Sequence, residues 1–236
     1  MDKSLTNFFR HVLPEHGRYL MRTLPRGQNQ FYNSIPELVH AAEARRELPG
    51  QYFTVASLGK DDNGAAANVI AMRSHRLDID AGGDKFARDP DGVYPDRDAA
   101  WAATADFVRL TQLRPTFVVS SGAGLHLYFC LSEDVTPDEW LPVANLLKRA
   151  CKATGFKADP TCTADAARIL RVPEWMHTNG NRVTILRAAA NAVYTNDEFG
   201  EVLSRFAPKS DSIDDILPRR ARGATVLRLL TDGKHS

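Results

Sequence analysis

The chain has 236 residues, 43% hydrophobic and 25% charged, with 30 basic against 29 acidic side chains and a formal net charge of +1. This is a globular composition with length enough for a sizeable core, and it excludes a disordered or fibrous chain and any argument for nucleic acid from bulk charge. With no apolar run of about 18 residues and no apolar core in the opening MDKSLTNFFRH, the expectation is a cytoplasmic protein with no membrane partner.

In chain order, Lys3, Arg10, Arg18, Arg22 and Arg26 make the first stretch basic. Such a run either follows the phosphates of a single strand or is a solvated charged face. GRYLMRTL and QNQFYNS read as strands. Ser34-Ile35-Pro36-Glu37 is a capping box ahead of a helix over LVHAAEARREL. QYFTVASL and HRLDID are strands, and Asp98 to Leu113 is a helix with an Ala-rich face. PTFVVSS and LHLYFCL, joined by Gly122-Ala123-Gly124, form a hairpin. Thr136-Pro137-Asp138-Glu139 opens a helix in which Trp140, Val143, Ala144, Leu147 and Cys151 make one apolar stripe, and Gly155 can end it. NRVTILRA is a further strand, and Thr195-Asn196-Asp197-Glu198 caps FGEVLSRF. Strands and helices intermix throughout, so the fold class is α/β (α+β). After Phe206 the chain turns polar, and 207–236 reads as a linker and a basic tail containing Arg219, Arg220 and Arg222. Cys130, Cys151 and Cys162 form no C-x-x-C pair and read as reduced core thiols.

Asp78 and Asp80 alternate with Leu77 and Ile79, which places both carboxylates on one side of a strand and the apolar pair on the other. Like charges this close repel in a dry setting, and a divalent cation such as Mg²⁺ or Mn²⁺ relieves the repulsion; a solvated strand end is the bland alternative. Gly82 and Gly83 let backbone approach a ligand. Ser120-Ser121-Gly122-Ala123-Gly124 can turn amides and hydroxyls toward an anion, with His126 on the return strand beside Tyr128 and Cys130. Asp159 is a candidate third carboxylate. Arg168 and Arg171 are three apart, which predicts one helical face suited to phosphate, or else surface ion pairs with Asp165 or Glu174.

LDIDAG, SSGAGLHLYF and ADPTCTADAARILRVP, in this order and spacing, resemble the archaeo-eukaryotic primase superfamily, and most nearly its phage and plasmid primase-polymerase branch. That family's pattern is D-x-D on a strand, then S-G-x-G-x-H, an Asp, and R-x-x-R-x-P. FFRHVLPEHGRYL and QYFTVASLG also look like the branch's N-terminal region, so the likeness covers residues 5 to 190. The resemblance implies an RRM-like mixed sheet flanked by helices with an N-terminal αβ module, as a catalytic domain over residues 1–206. It implies that Asp78, Asp80 and Asp159 hold catalytic Mg²⁺ or Mn²⁺. It places Lys85, Ser120, Ser121, Gly122, Gly124, His126, Arg168 and Arg171 at the triphosphate of the incoming nucleotide. Arg10, Arg18, Arg22, Arg219 and Arg220 are then candidates for template DNA. The family commonly continues R-x-P-G-T-x-N-x-K, whereas Glu174, Trp175, His177 and Asn179 stand at the Gly, Thr, Asn and Lys positions. A glutamate is unfavourable beside polyphosphate, and His177 could substitute as a donor.

The implied activity is a template-dependent DNA primase-polymerase with single-stranded DNA and a (d)NTP as partners. Because the chain lacks a G-x-x-x-x-G-K-[ST] loop, a replicative helicase would act in trans or from a missing C-terminal region. Two alternatives are a replication-origin or single-strand binding module without efficient synthesis, and a metal-dependent nuclease on the same carboxylates.

Overall fold

The computed structural model describes residues 2–25 and 27–206. The 207–236 segment, with Arg219 and Arg220, lies outside the described residues.

Asp2 accepts from the amides of Ser4 and Leu5 and so caps α1 (Lys3–Val12), whose Leu5, Phe8, Phe9 and Val12 recur at helical spacing and are fully buried. β1 (Tyr19–Thr23) and β2 (Asn29–Tyr32) pair antiparallel. α2 (Ile35–Glu43) ends well short of the expected Leu48. Its capping box is incomplete: Ser34 Oγ accepts the Glu37 amide at 3.3 Å, but the Glu37 carboxylate takes the Asn33 amide. QYFTVASL is not one strand. β3 (Gln51–Thr54) stays in the first sheet, the buried Val55 and Ala56 cross over, and β4 (Ser57–Leu58) joins the second.

The first sheet has the order β2-β1-β3-β8, and β8 (Ile169–Arg171) corrects an expectation. Arg168 and Arg171 do not share a helical face. The open edge of β3 takes Ile169–Arg171 as an antiparallel neighbour, and Pro173 lies just beyond. In an extended segment residues three apart point to opposite sides, so the two guanidiniums part.

The second sheet is built on β5 (Val69–Ile79), β6 (Phe117–Ser120), β7 (Leu125–Val135) and β9 (Thr184–Ala188), in the order β4-β5-β7-β6-β9. β10 (Val193–Tyr194) runs parallel to β7 at Cys130 and Leu131, just past the last β6 pairing at Tyr128, which makes the sheet mixed. The other helices are α3 (Gly83–Arg88), α4 (Arg97–Thr111), α5 (Pro137–Thr154), the short α6 (Pro160–Thr163) and α7 (Asn196–Ser204). Thr136–Glu139 and Thr195–Glu198 form complete capping boxes on α5 and α7.

Both faces of β7 are buried over residues 125–131, which explains the near-continuous apolar sequence there. Leu125, Leu127 and Phe129 pack with Leu77 and Ile79 against Phe107 of α4, Leu147 of α5 and Phe199 of α7. Tyr128 and Cys130 face the other way, into a core shared with Phe8, Phe9 and Phe53. The two sheets are thus joined through α1. The three cysteines are free and buried. Among the described residues no helix is long and apolar enough to cross a membrane.

Candidate active site

The end of β5, the β6–β7 turn and the approach to β8 meet at one place. Asp78 sits opposite His126 in the β5–β7 register. Its side chain is 17% exposed, and burial, followed by repulsion from Asp80, pushes its carboxyl up to about 6. Asp159, remote in sequence, lies beside it: the Asp159 amide donates to the Asp78 carbonyl at 2.8 Å. Asp159 also caps α6, its Oδ1 accepting from the amides of Thr161 and Cys162, which leaves Oδ2 to Arg168 Nη2 at 3.1 Å. The same Nη2 is 3.9 Å from Asp78 Oδ2, and Lys85 Nζ contacts Asp80 Oδ1. These carboxylates are hard oxygen donors that repel one another and draw in two cationic side chains, a donor type that suits a divalent cation. As the side chains stand, among the described residues no group of three His, Cys, Asp or Glu encloses a single point.

Beyond Asp80 opens a cleft of about 900 Å³. One wall is the β6–β7 turn. A Cβ on Gly124 would come within 1.9 Å of the Ile79 carbonyl oxygen, so only glycine lets the turn approach the end of β5. At Gly122, with φ +99°, a Cβ would strike the His177 ring at 2.8 Å. His177 belongs to a loop fastened to this turn, where Asn181 Nδ2 donates to the Gly122 carbonyl at 2.8 Å and Asn179 Nδ2 lies 3.5 Å from it. Partial burial, then the charge of Arg171, lowers the His177 pKa. Ser121 lines the cleft, with its hydroxyl accepting the Gly124 amide. Ser120 lies within β6, and its hydroxyl accepts from Arg97 Nη1 at 3.3 Å. His126 is 1% exposed, beneath Asp78, with Nε2 3.6 Å from Asp78 Oδ1. Burial and then the charges of Arg171 and Arg168 lower its pKa to about 3, which keeps the imidazole neutral. Lys85 and Arg171 line the cleft, whereas Arg168 stays with the carboxylates.

Arg88, Arg97 and Arg182 also line the cleft, and no motif spacing marked them. The one available signal was Asp96-Arg97-Asp98 at the start of α4, with Asp96 as N-cap. Arg76 was missed too. It lies on the same side of β5 as Asp78, is fully buried, and donates to the Asp165 carbonyl. The departures at Glu174 and Trp175 turn inward. The Glu174 carboxylate accepts the Ile185 amide at 3.1 Å, and Trp175 is buried in the core shared by the sheets.

Among the candidate template residues, Arg10 is exposed on the last turn of α1. Arg18 is engaged, pairing with Asp62 at 2.9 Å and lying 4.5 Å over the Phe31 ring. Arg22 is exposed and sits across from Tyr52, which sits across from Arg171. Directly opposed residues share a sheet face, so Arg22, Tyr52 and Arg171 form a row that ends at the cleft, with Arg171 5.4 Å from the Tyr52 ring centroid.

Two solved structures share this architecture. The catalytic domain of primase RepB′ in complex with initiator DNA matches with a TM-score of 0.54 at 11% identity, over 86% of this chain and 95% of that one. Primase RepB′ matches with a TM-score of 0.55 at 11% identity, over 99% of this chain and 69% of that one. The chain has the fold of the RepB′ primase catalytic domain. The primase-polymerase domain of cyanophage S-2L is also similar, with 18% identity, a TM-score of 0.48, and coverage of 80% of this chain and 89% of that one. No protein-family model matches the sequence, and no curated protein matches it.

Proposed function

We propose that the chain is a template-dependent nucleotidyltransferase, a DNA primase-polymerase serving a phage or plasmid replication system. The observation that carries this reading is the convergence of Asp78, Asp80 and Asp159 beside a cleft lined by Lys85, Arg88, Arg97, Arg171 and Arg182 together with Asp84, Asp96 and Asp98. The shared fold with a primase supports it.

In the reaction a 3′-hydroxyl loses its proton to solvent, its oxygen bonds to the α-phosphorus of the incoming (d)NTP, the bond from that phosphorus to the oxygen bridging to the β-phosphate breaks, and pyrophosphate leaves. Asp78, Asp80 and Asp159 would hold Mg²⁺ or Mn²⁺, in the charge-balancing places that Lys85 and Arg168 now fill. When bound, such an ion activates the hydroxyl and neutralises phosphate charge. Lys85, Arg171, His177 and the Ser121–Gly124 turn receive the triphosphate, and Arg88, Arg97 and Arg182 add to the same wall. Ser120 steadies Arg97. His126 acts from below as a neutral partner that positions Asp78. Next to Arg171 in the row, Arg22 and Tyr52 offer the template a cation for its phosphates and a ring for its bases. Arg10 is a further phosphate contact, and a helicase would act in trans or from a C-terminal region beyond the given sequence.

The test is synthesis on single-stranded DNA, with dNTPs or rNTPs and with Mg²⁺ or Mn²⁺. The expected result is a labelled product whose sequence follows the template. No product with any nucleotide or metal, or product without template, overturns the reading. A second reading, DNA binding without synthesis, is favoured by one observation: Lys85 and Arg168 already neutralise the carboxylates. It expects DNA binding that persists in EDTA and after removal of all three aspartates.

A further inference from the structure

A second cleft, of about 620 Å³, meets the first at Asp80, the one residue the two share. Asp159 also lines it. One wall is a stripe of α5: Asn145, Lys148, Arg149 and Lys152, at helical spacing i, i+3, i+4 and i+7. Lys157 Nζ donates to the carbonyls of Pro90 and Val93 at 2.7 and 3.3 Å and so fixes the opposite wall. Lys148 and Lys152 are exposed and have no ion pair among the described residues. Arg149 Nε is buried without a hydrogen-bond partner. A cation in the last turn complements the helix dipole, which accounts for Lys152 but not for Lys148 or Arg149. The cleft also contains Asp80, Asp89, Asp91 and Asp159. Asp80 and Asp159 already face Lys85 and Arg168, and Asp89 accepts the Gly92 amide.

We propose that this cleft binds the phosphates on the 5′ side of the nucleotide whose 3′-hydroxyl attacks, with Lys148, Arg149 and Lys152 as the contacts. The inference rests on the nucleotidyltransfer reading above. In-line displacement puts attacking and leaving oxygens on opposite sides of the α-phosphorus. With the triphosphate in the larger cleft, the attacking hydroxyl enters across Asp80 and Asp159, where the smaller cleft opens. The bound group is the end of a primer strand or an initiating nucleotide, both of which carry 5′ phosphates.

The experiment titrates the full chain and its Lys148→Glu/Lys152→Glu variant with fluorescent primed template and with the same template unprimed, across a salt series. The variant should lose affinity for primed template on the order of tenfold, with a salt dependence shallower by about two phosphate contacts. Affinity for unprimed template and KM for the incoming nucleotide should stay at wild-type values, and Lys148→Arg/Lys152→Arg should bind primed template as wild type does. No loss, or equal loss on both DNAs, overturns the inference. Dinucleotide formation on unprimed template separates the sources: its loss assigns the cleft to initiating nucleotide and primer alike, its retention to the primer strand. The binding readout needs no synthesis. A chain that binds primed DNA through these lysines but incorporates nothing overturns the function and leaves the cleft assignment standing.

Discussion

Asp78 combines burial with repulsion from a neighbouring carboxylate, and both act on the same proton. Its carboxyl, pushed up to about 6, holds that proton more tightly in the folded chain than in the unfolded one, where it titrates near 3.8. The associated stability is therefore fully present below about pH 4 and lost as pH rises through about 6. Asp78→Asn removes the cost of the buried charge. At pH 8 without added metal, this variant should unfold in urea with on the order of 2 kcal/mol more stability than wild type. A less stable variant would contradict the assignment. His75 and His126 act with the opposite sign. Burial lowers both to about 3, so their contribution is present above about pH 6.5 and lost as pH falls toward 3. Between about pH 6 and 4 these three groups together give wild type a slope of about one proton, and Asp78→Asn a slope of about two. Urea titrations at stepped pH check this, and equal slopes would refute it. The D-x-D alternation was legible because a strand's period of two sorts side chains without help from the rest of the fold. Arg88, Arg97 and Arg182 were not legible, because only the folded loops bring them to one wall.

At the scale of elements, the hairpin, the helix of residues 137–154 and two of three capping boxes followed from local rules. In the first box the Glu37 carboxylate reaches one residue further back, to Asn33. Thr136→Ala should cost about 1 kcal/mol, because the hydroxyl satisfies the Glu139 amide at the start of α5. Urea unfolding measures this, and an unchanged midpoint would show that the cap adds nothing in this context. The Arg168–Arg171 segment reads as helical because Ala164, Ala166 and Ala167 just before it favour a helix locally, while its real partner, β3, lies far away in sequence. The split of QYFTVASL between two sheets was hidden for a similar reason, since both halves have strand composition and only tertiary packing separates them.

In the whole molecule, one ring ties the sheets together. Phe8 makes edge contacts with Phe53 of the first sheet at 5.9 Å, and with Phe117 and Tyr128 of the second at 5.2 and 5.1 Å. Phe8→Ala should cost about 3–5 kcal/mol and still leave a single unfolding transition by circular dichroism and tryptophan fluorescence. Two separated transitions would show that the sheets fold independently. The primase resemblance already implied the architecture, but the sharing of the first sheet between the N-terminal strands and β8 required the structure. That sharing delivers Arg171 to the cleft wall and Arg168 to the carboxylates.

The reading turns on carboxylates that serve nucleotide incorporation. Its most direct test is single-nucleotide extension of a primed DNA template in Mn²⁺, comparing wild type with Asp78→Asn/Asp80→Asn, after circular dichroism shows that both are folded. Wild type should add the templated nucleotide, and the double variant should lose at least about a hundredfold in rate while still binding the DNA. Extension by the folded double variant at the wild-type rate would contradict the assignment.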